Sequence, residues 1–475
     1  MKHKEALIHA IEELTPFISG MLEKSGIPGY AFSAVFADGD SLVRSGGTLQ
    51  RGMQQAPDEN TVFMIGSCSK SFTALTAARL AEQGRIDLDQ PVEAYLPIKL
   101  THAGVKVTLR HLLSNSSGLP NLGLSEIVTG KYLYGRIPGE YAEAYPFEKD
   151  KSITDFMQGA QDEMVGTPGG QYIYSNEGFS LAGEALAAAA GKPLPELVKE
   201  LIFTPMGMKN SFYLGSEVRA DMQLASGHIA DGSPMPVYYE PAIAGAGGVL
   251  STAADLGRYV QTLLCSGELE RRRILTQRVL QEVEQERIVH QTAETLIGGG
   301  FGPERYGMGL MSYPDYLGLK VITHGGSTGN FSSAIFYERE LGFGIAALCN
   351  GGGGEGLLEL FAFMVAARAL GKDPFDVFPF FALEGQYRAL EGLYTSRGEA
   401  VCVRISYRQG RLWWESLDGN GNSPSGARPL TAAGDAETRR FSFLNGPGAS
   451  SPVLFFPGDD GRMRVQKDRN VLTRR

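Results

Sequence analysis

Cysteine is scarce in this chain of 475 residues: Cys68, Cys265, Cys349 and Cys402 are its four, far apart and with no C-x-x-C pair. That spacing argues against a zinc site and a disulfide framework, and fits a reducing compartment. Long apolar runs are missing as well. The nearest candidate, LFAFMVAARAL at 360–370, contains Arg368 and falls short of a bilayer span. Positive charge is not in excess either. The formal net charge is −9, with no basic stripe, so neither nucleic acid nor an anionic membrane surface is an expected partner. The seven histidines show no metal-ligand spacing, and the glycine run at 351–354 lacks the G-K-[ST] of a phosphate loop. There is no internal repeat and no low-complexity segment. At the N-terminus, Glu12 and Glu13 interrupt the apolar residues. The segment therefore reads as an amphipathic helix (Leu7, Ile8, Ile11, Leu14, Ile18, Met21) and not as an export signal. The expected location is cytoplasmic, with no metal and no organic cofactor.

What is present is ordinary globular composition, 43% hydrophobic and 20% charged, in a chain long enough for two or three domains. The stretch at 61–83, TVFMIGSCSKSFTALTAARLAEQ, is the informative one. Phe72, Leu75, Ala78 and Leu80 recur at the spacing of an amphipathic helix, and Gly84 supplies a stop. Ser67 and Lys70 form an S-x-x-K at the helix start. Positions three apart share a face, so hydroxyl and amine point the same way. The free N–H groups of a helix start offer negative charge a place beside the serine oxygen. A nucleophile, a base and half an oxyanion hole are thus within one turn. Taken alone the tetrapeptide is weak. Chance supplies roughly one or two in a chain this long, and a helix cap beside a solvated lysine is the simpler reading.

The rest of the chain falls into three styles. An N-terminal helix, a hairpin at 30–45 turning at Asp38-Gly39, and the Ser67 helix come first. Thr108 caps a short helix at 109–115, and residues 121–170 are irregular, rich in Gly, Pro and Tyr. A helical middle follows, with helices expected near 179–190, 194–203 and 253–265. Beyond residue 300 the period changes to two. Strands are expected at 319–323, 332–337 and 343–348, then an apolar helix at 355–370. This order predicts an α/β lobe built from both ends of the chain, with an all-α lobe at about 105–295 inserted. Residues 376–382 read as a linker between a first domain at 1–375 and an antiparallel β domain at 383–475, where VCVRISY alternates. Trp413 and Trp414 there read as core packing or, less simply, as a ligand surface.

Two further motifs fall where an acyl-transfer site needs them. Tyr174-Ser175-Asn176 marks the passage from an extended piece to a helix. The tyrosine can relay a proton, and a neighbouring lysine would favour its phenolate. The Asn176 amide offers a donor and an acceptor to a substrate amide. His324-Gly325-Gly326 ends the strand LKVITH. Its glycines leave room for a substrate backbone, the N–H of Ser327 is a second oxyanion donor, and His324 is expected to line the cleft opposite the Ser67 helix. Each motif has a plainer reading alone: a packed aromatic, a helix cap, a strand-end turn. Glu177 reads as a helix-start carboxylate before a base on water, Cys68 as packing and His111 as structural.

Together, and in this order, the motifs resemble the serine hydrolases of the class C β-lactamase, penicillin-binding-protein and D-aminopeptidase superfamily, over about residues 25–370. The surroundings FMIGSCSKSFTA, LRHLLSNSSGLP, GQYIYSNEGF, AGAGGVLSTAADL and HGGSTGNFSS carry the likeness. The resemblance implies a β-lactamase-like fold, an antiparallel sheet flanked by helices plus an all-α lobe, followed by a small lipocalin-like β domain. It implies acylation of Ser67, base and acid work shared by Lys70 and Tyr174, and substrate held by Asn176. The oxyanion would lie on the N–H groups of Ser67 and Ser327. His324 stands where β-lactamases and D,D-carboxypeptidases carry a lysine, and a neutral histidine is a weaker partner for a substrate carboxylate. Hydrolysis of small peptides, D-amino-acid derivatives or esters is therefore expected ahead of β-lactam hydrolysis. The alternatives are a thioesterase or cyclase passing the acyl group to an amine, and a catalytically silent binding protein. A small-molecule or peptide substrate and a homo-oligomer complete the expected partners.

Overall fold

The structure is a computed structural model that describes residues 3–135, 152–213, 218–290, 301–418, 420–433, 439–446, 449–467 and 470–475. The stretch at 136–151, part of the irregular segment of the sequence reading, lies outside them. The chain divides into two compact units, Met1–Lys372 and Asp373–Arg475.

In the first unit, helix α1 (Lys4–Lys24) leads into the hairpin β1 (Gly29–Phe36) and β2 (Ser41–Gly47). The helix buries Leu7, Ala10, Ile11, Leu14, Ile18 and Leu22, one stripe at helical spacing. Helix α2 (Ser69–Glu82) follows a single 3-10 turn at Gly66–Cys68. The chain then passes through α3 (Leu109–Leu113), α4 (Leu124–Tyr134), α5 (Asn176–Ala190), α6 (Ala253–Leu264) and α7 (Gln277–Glu284). It returns as strands β3 (Ile288–Val289), β4 (Arg305–Tyr306), β5 (Met311–Tyr316), β6 (Leu319–Ser327), β7 (Ser332–Glu338) and β8 (Phe343–Cys349), closed by α8 (Glu355–Ala369). The sheet order is β3-β4-β5-β6-β7-β8-β1-β2. Every pairing is antiparallel, and Tyr30 to Phe36 face Cys349 to Phe343. The two ends of the first unit thus form one sheet, and the helical middle is inserted between them.

Helix α2 corrects one expectation. It is not an amphipathic surface helix: every residue from Ser69 to Ala78 is buried. Its polar side chains are satisfied inside the protein. The Ser71 hydroxyl donates to Cys68 O at 2.8 Å, that of Thr73 to Gly245 O at 2.7 Å and that of Thr76 to Phe72 O at 2.8 Å. A helix buried on all sides must be either apolar throughout or internally bonded in this way.

In the second unit, residues 376–382 span the end of one helix, Pro374–Val377, and the start of another, Pro379–Arg388, with Phe378 extended between them. Among the described residues nine strands follow: β9 (Gly392–Thr395), β10 (Cys402–Arg408), β11 (Arg411–Leu417), β12 (Ala427–Pro429), β13 (Thr431–Ala432), β14 (Arg440–Gly446), β15 (Ala449–Pro457), β16 (Met463–Lys467) and β17 (Asn470–Arg474). Their order is β12-β11-β10-β9-β17-β16-β15-β14-β13. The two edge strands are separated in sequence by Leu430 alone, so the sheet curls into a nearly closed barrel. Its core includes Val403, Ile405, Trp414, Phe441, Phe443 and Phe455. Trp414 is therefore a core residue. Trp413 instead donates to Arg408 O at 3.0 Å, and the Arg408 guanidinium lies over its ring.

Candidate active site

The 3-10 turn before α2 carries Ser67, and the first turn of α2 carries Lys70. The Lys70 ammonium has three donors and the structure gives each an acceptor: Ser67 Oγ at 2.9 Å, Asn176 Oδ1 at 2.6 Å and Ala246 O at 3.0 Å. Its side chain is fully buried, with the ring of Tyr174 at 4.6 Å from Nζ. Burial disfavours the charged form and brings the Lys70 pKa down to about 7, although Glu177 and then Cys68 pull it upward.

Tyr174 reaches Ser67 from the other side, its hydroxyl donating to Ser67 Oγ at 2.7 Å. Burial raises the phenol pKa, and the bond to Ser67 only partly opposes that. The expected phenolate is thus not favoured. Lys70 is the group whose neutral form is accessible near neutral pH, and Tyr174 keeps its proton. Asn176 opens α5, behind the N-cap of Ser175. Its Oδ1 is committed to Lys70, and its Nδ2 donates to Ser125 Oγ at 2.7 Å.

Strand β6 brings the third motif to the Ser67 turn, but not as expected. Side chains alternate along a strand, so His324 and Gly326 face the turn, whereas Thr323 and Gly325 face α8. A Cβ on Gly326 would lie 2.1 Å from Ile65 O and 2.4 Å from Ser333 Oγ. One on Gly66, itself at φ +49°, would lie 2.6 Å from Ser327 O. The glycines make room for the protein's own backbone and bring the N–H-bearing segments of Ser67 and Ser327 into contact. Two side chains pin this contact. Cys68 Sγ donates to His324 O at 3.1 Å, and Ser333 Oγ lies 2.7 Å from Ile65 O and 3.1 Å from Cys68 Sγ.

His324 itself is 1% exposed and does not line the cleft. Its Nδ1 lies 2.6 Å from Gly325 O and its Nε2 3.1 Å from the Tyr306 hydroxyl. A carbonyl can only accept, so Nδ1 carries the proton and Nε2 accepts from Tyr306. Burial, then the nearby Lys70 charge, push the imidazole pKa down to about 3. The ring is a neutral strut beneath the site.

Glu177 is fully buried. Its Oε1 accepts the N–H groups of Leu122 at 3.2 Å and Leu124 at 3.0 Å, and the Ser175 hydroxyl lies at 3.3 Å from Oε2. It anchors the start of α4 and does not point at Ser67. His111 closes a capping box with Thr108. Sequence reasoning missed Ser125 and the Ala246 carbonyl. No motif marks Ser125, and a backbone acceptor has no residue signature.

Around Ser67 lies a cavity of about 220 Å³. Met64 and Gly66, Ser125, Val128 and Thr129 of α4, Tyr238, Ile243 and Gly247, and the turn at 327–329 line it together with Ser67, Asn176 and Ala246. Gly325, Lys70 and Tyr174 are not among the lining residues. Among the described residues no helix is long and apolar enough to cross a membrane.

A serine hydroxyl held between a lysine amine and a protonated tyrosine, on a two-lobe α/β fold, defines a serine hydrolase. Comparison with known families then gives the particular family. The protein-family description Beta-lactamase matches residues 14–367, and the chain belongs to that family. The Escherichia coli (strain K12) D-alanyl-D-alanine-carboxypeptidase/endopeptidase AmpH is 29% identical over 278 residues, 56% of this chain and 67% of that protein. Penicillin-binding protein 4 of Amycolatopsis lactamdurans is 28% identical over 336 residues, 69% of this chain and 81% of that one. The octameric penicillin-binding protein homologue from Pyrococcus abyssi superposes with a TM-score of 0.79 at 27% identity, covering 98% of this chain and 100% of that one.

Proposed function

We propose that this serine hydrolase cleaves amide or ester bonds of small peptides, D-amino-acid derivatives and simple esters through a covalent acyl-enzyme on Ser67. The observation that carries the reading is the pair of hydrogen bonds to one oxygen, from Lys70 at 2.9 Å and Tyr174 at 2.7 Å, with the Lys70 pKa brought to about 7. Neutral Lys70 takes the Ser67 proton as Oγ bonds to the substrate carbonyl carbon. The N–H groups of Ser67 and Ser327 hold the oxyanion. Collapse breaks the bond to the leaving group, which takes a proton from Tyr174, and Lys70 returns its own to the phenol. Water then attacks the acyl carbon, Ser67 leaves with a proton, and a carboxylic acid departs. Asn176 holds Lys70 in place through Oδ1, and His324 acts through β6 without touching the substrate.

The four cysteines, all free thiols, support a cytoplasmic location. Likeness over the whole chain to an octameric homologue supports a homo-oligomer, which sedimentation velocity tests. The test of the chemistry is intact mass after treatment with a short-chain alkyl fluorophosphonate. One adduct on the wild type that is lost in Ser67→Ala is expected. A folded wild type that takes no adduct, or a Ser67→Ala variant that still takes it, refutes the reading.

A further inference from the structure

We infer that the cavity beside Ser67 is an acyl pocket closed at one end, which accepts an uncharged acyl group about one residue long. This rests on the acyl-enzyme reading and adds to it the side of the substrate that must be short. Three elements meet at the closed end. A Cβ on Gly329, in the turn after β6, would lie 2.9 Å from Leu133 Cδ1 and 3.4 Å from Thr129 Cγ2, so α4 rests directly on that turn. The Tyr238 hydroxyl donates to Thr328 O at 2.8 Å, tying the third element to the same turn. Tyr132 of α4 stacks on Tyr238 with ring centroids 4.9 Å apart.

Helix α4 also measures the depth. Ser125 stands at the catalytic end, bonded to Asn176, and Thr129 and Leu133 stand at the closed end. Four to eight residues of helix rise about 6–12 Å. An extended chain covers about 3.3–3.6 Å per residue, so the depth alone admits about two to three residues. The volume sets the tighter limit, one residue with its side chain or a short acyl chain. A cavity of about 150 Å³ holds benzene, and this one measures about 220 Å³.

Which half of the substrate enters follows from Tyr174. The proton donor to the leaving group is not a lining residue of the cavity, so the leaving group departs on the tyrosine side and the acyl group takes the pocket. The lining also sets the charge. Ser125, Val128, Thr129, Tyr238, Ile243 and Thr328 carry none, nor does any other described lining residue. A carboxylate or ammonium on the acyl group would be buried there without a partner. The leaving group lies outside this lining, so the limits on length and charge fall on the acyl group.

The experiment is a p-nitrophenyl ester series, acetate, butyrate, hexanoate, octanoate and laurate, with hemisuccinate as the charged counterpart of butyrate. Expected for the wild type is a maximum in kcat/KM at short chains, with laurate and hemisuccinate each lower by at least about tenfold. Leu133→Ala should raise the laurate-to-butyrate ratio by a similar factor. Thr129→Ala, at a half-buried position, supplies the same readout if the leucine variant folds poorly. A rate independent of chain length, or a ratio unmoved in both variants, overturns the inference while fluorophosphonate labelling of Ser67 leaves the acyl-enzyme reading standing. No labelling and no turnover of any ester removes both.

Discussion

The Lys70 pKa of about 7 predicts the shape of the pH–rate profile. Only neutral Lys70 has a lone pair to take the Ser67 proton, so activity belongs to the deprotonated form and is lost as pH falls through 7. At one unit below that pKa about one tenth of the enzyme is competent, a cost of about 1.4 kcal/mol, and each further unit removes another factor of ten. No other active-site group blurs this limb. Burial raises Tyr174, which stays protonated, and His324 titrates at about 3, far to the acid side. Glu177 tests the cause, because its carboxylate raises the Lys70 pKa. Glu177→Gln keeps an oxygen for the N–H groups of Leu122 and Leu124 but removes the charge, so the limb should move to lower pH. Buried Glu359, bonded to Thr323 at 3.0 Å behind β6, also titrates at about 7. Glu359→Gln is the control and should leave the limb in place. The assay is kcat/KM for a neutral ester from about pH 5 to about pH 9. A flat profile, a limb that moves to higher pH in Glu177→Gln, or one that vanishes in Glu359→Gln would falsify the assignment.

Tyr174→Phe removes the only hydroxyl donating to Ser67 Oγ among the described residues. It should lower kcat by about 10²–10⁴-fold for an amide, and less for a p-nitrophenyl ester, whose leaving group needs no proton. Equal losses on the two substrates would reject Tyr174 as the acid. His324→Lys restores the residue type usual in the third motif but puts an ammonium where a neutral ring is 1% exposed and beside Lys70. An unpaired buried charge costs about 3–5 kcal/mol, so urea denaturation should find the variant destabilised by that order. A variant as stable as the wild type that gains activity on substrates with a terminal carboxylate would contradict the buried placement.

The parts of the site that the sequence discloses are those encoded by short-range geometry. Ser67 and Lys70 are three apart, and Tyr174 and Asn176 flank a helix cap. Their side chains meet at 2.6–2.9 Å because each motif sets its own direction locally. The strands β6, β7 and β8 were legible as short apolar runs between turns, but the expected period of two is not kept, because β7 and β8 are buried on both faces. His324 was legible as a position on β6 but not as a buried strut. Its exposure is decided by Tyr306, one strand beyond β5, and no period connects the two. The glycines beside it were misread in role because Gly326 faces Ile65 and Gly325 faces Glu359, not a substrate. A close approach between segments far apart in sequence leaves only a missing side chain as its trace. Helix α2 was misjudged for a related reason. Serine and threonine look like a solvent face until Gly245, a remote acceptor, is seen to receive Thr73.

The pairing of β1 with β8 sets when this enzyme can come into being. Tyr30 finds its partner in Cys349, so on the ribosome the first hairpin waits for about 300 further residues. At about 5–20 residues per second that is roughly 15–60 s. Throughout, β1 presents an unpaired edge of almost wholly apolar side chains, a template for intermolecular pairing. Closing so long a loop also places the sheet among slowly formed structures. A nascent chain cut short of β8 would contain Ser67, Lys70, Tyr174 and Asn176 yet lack both the strand that completes the sheet and α8. Low temperature, slow induction or a chaperone that shields β1 should therefore raise the yield of soluble enzyme more than any change near Ser67.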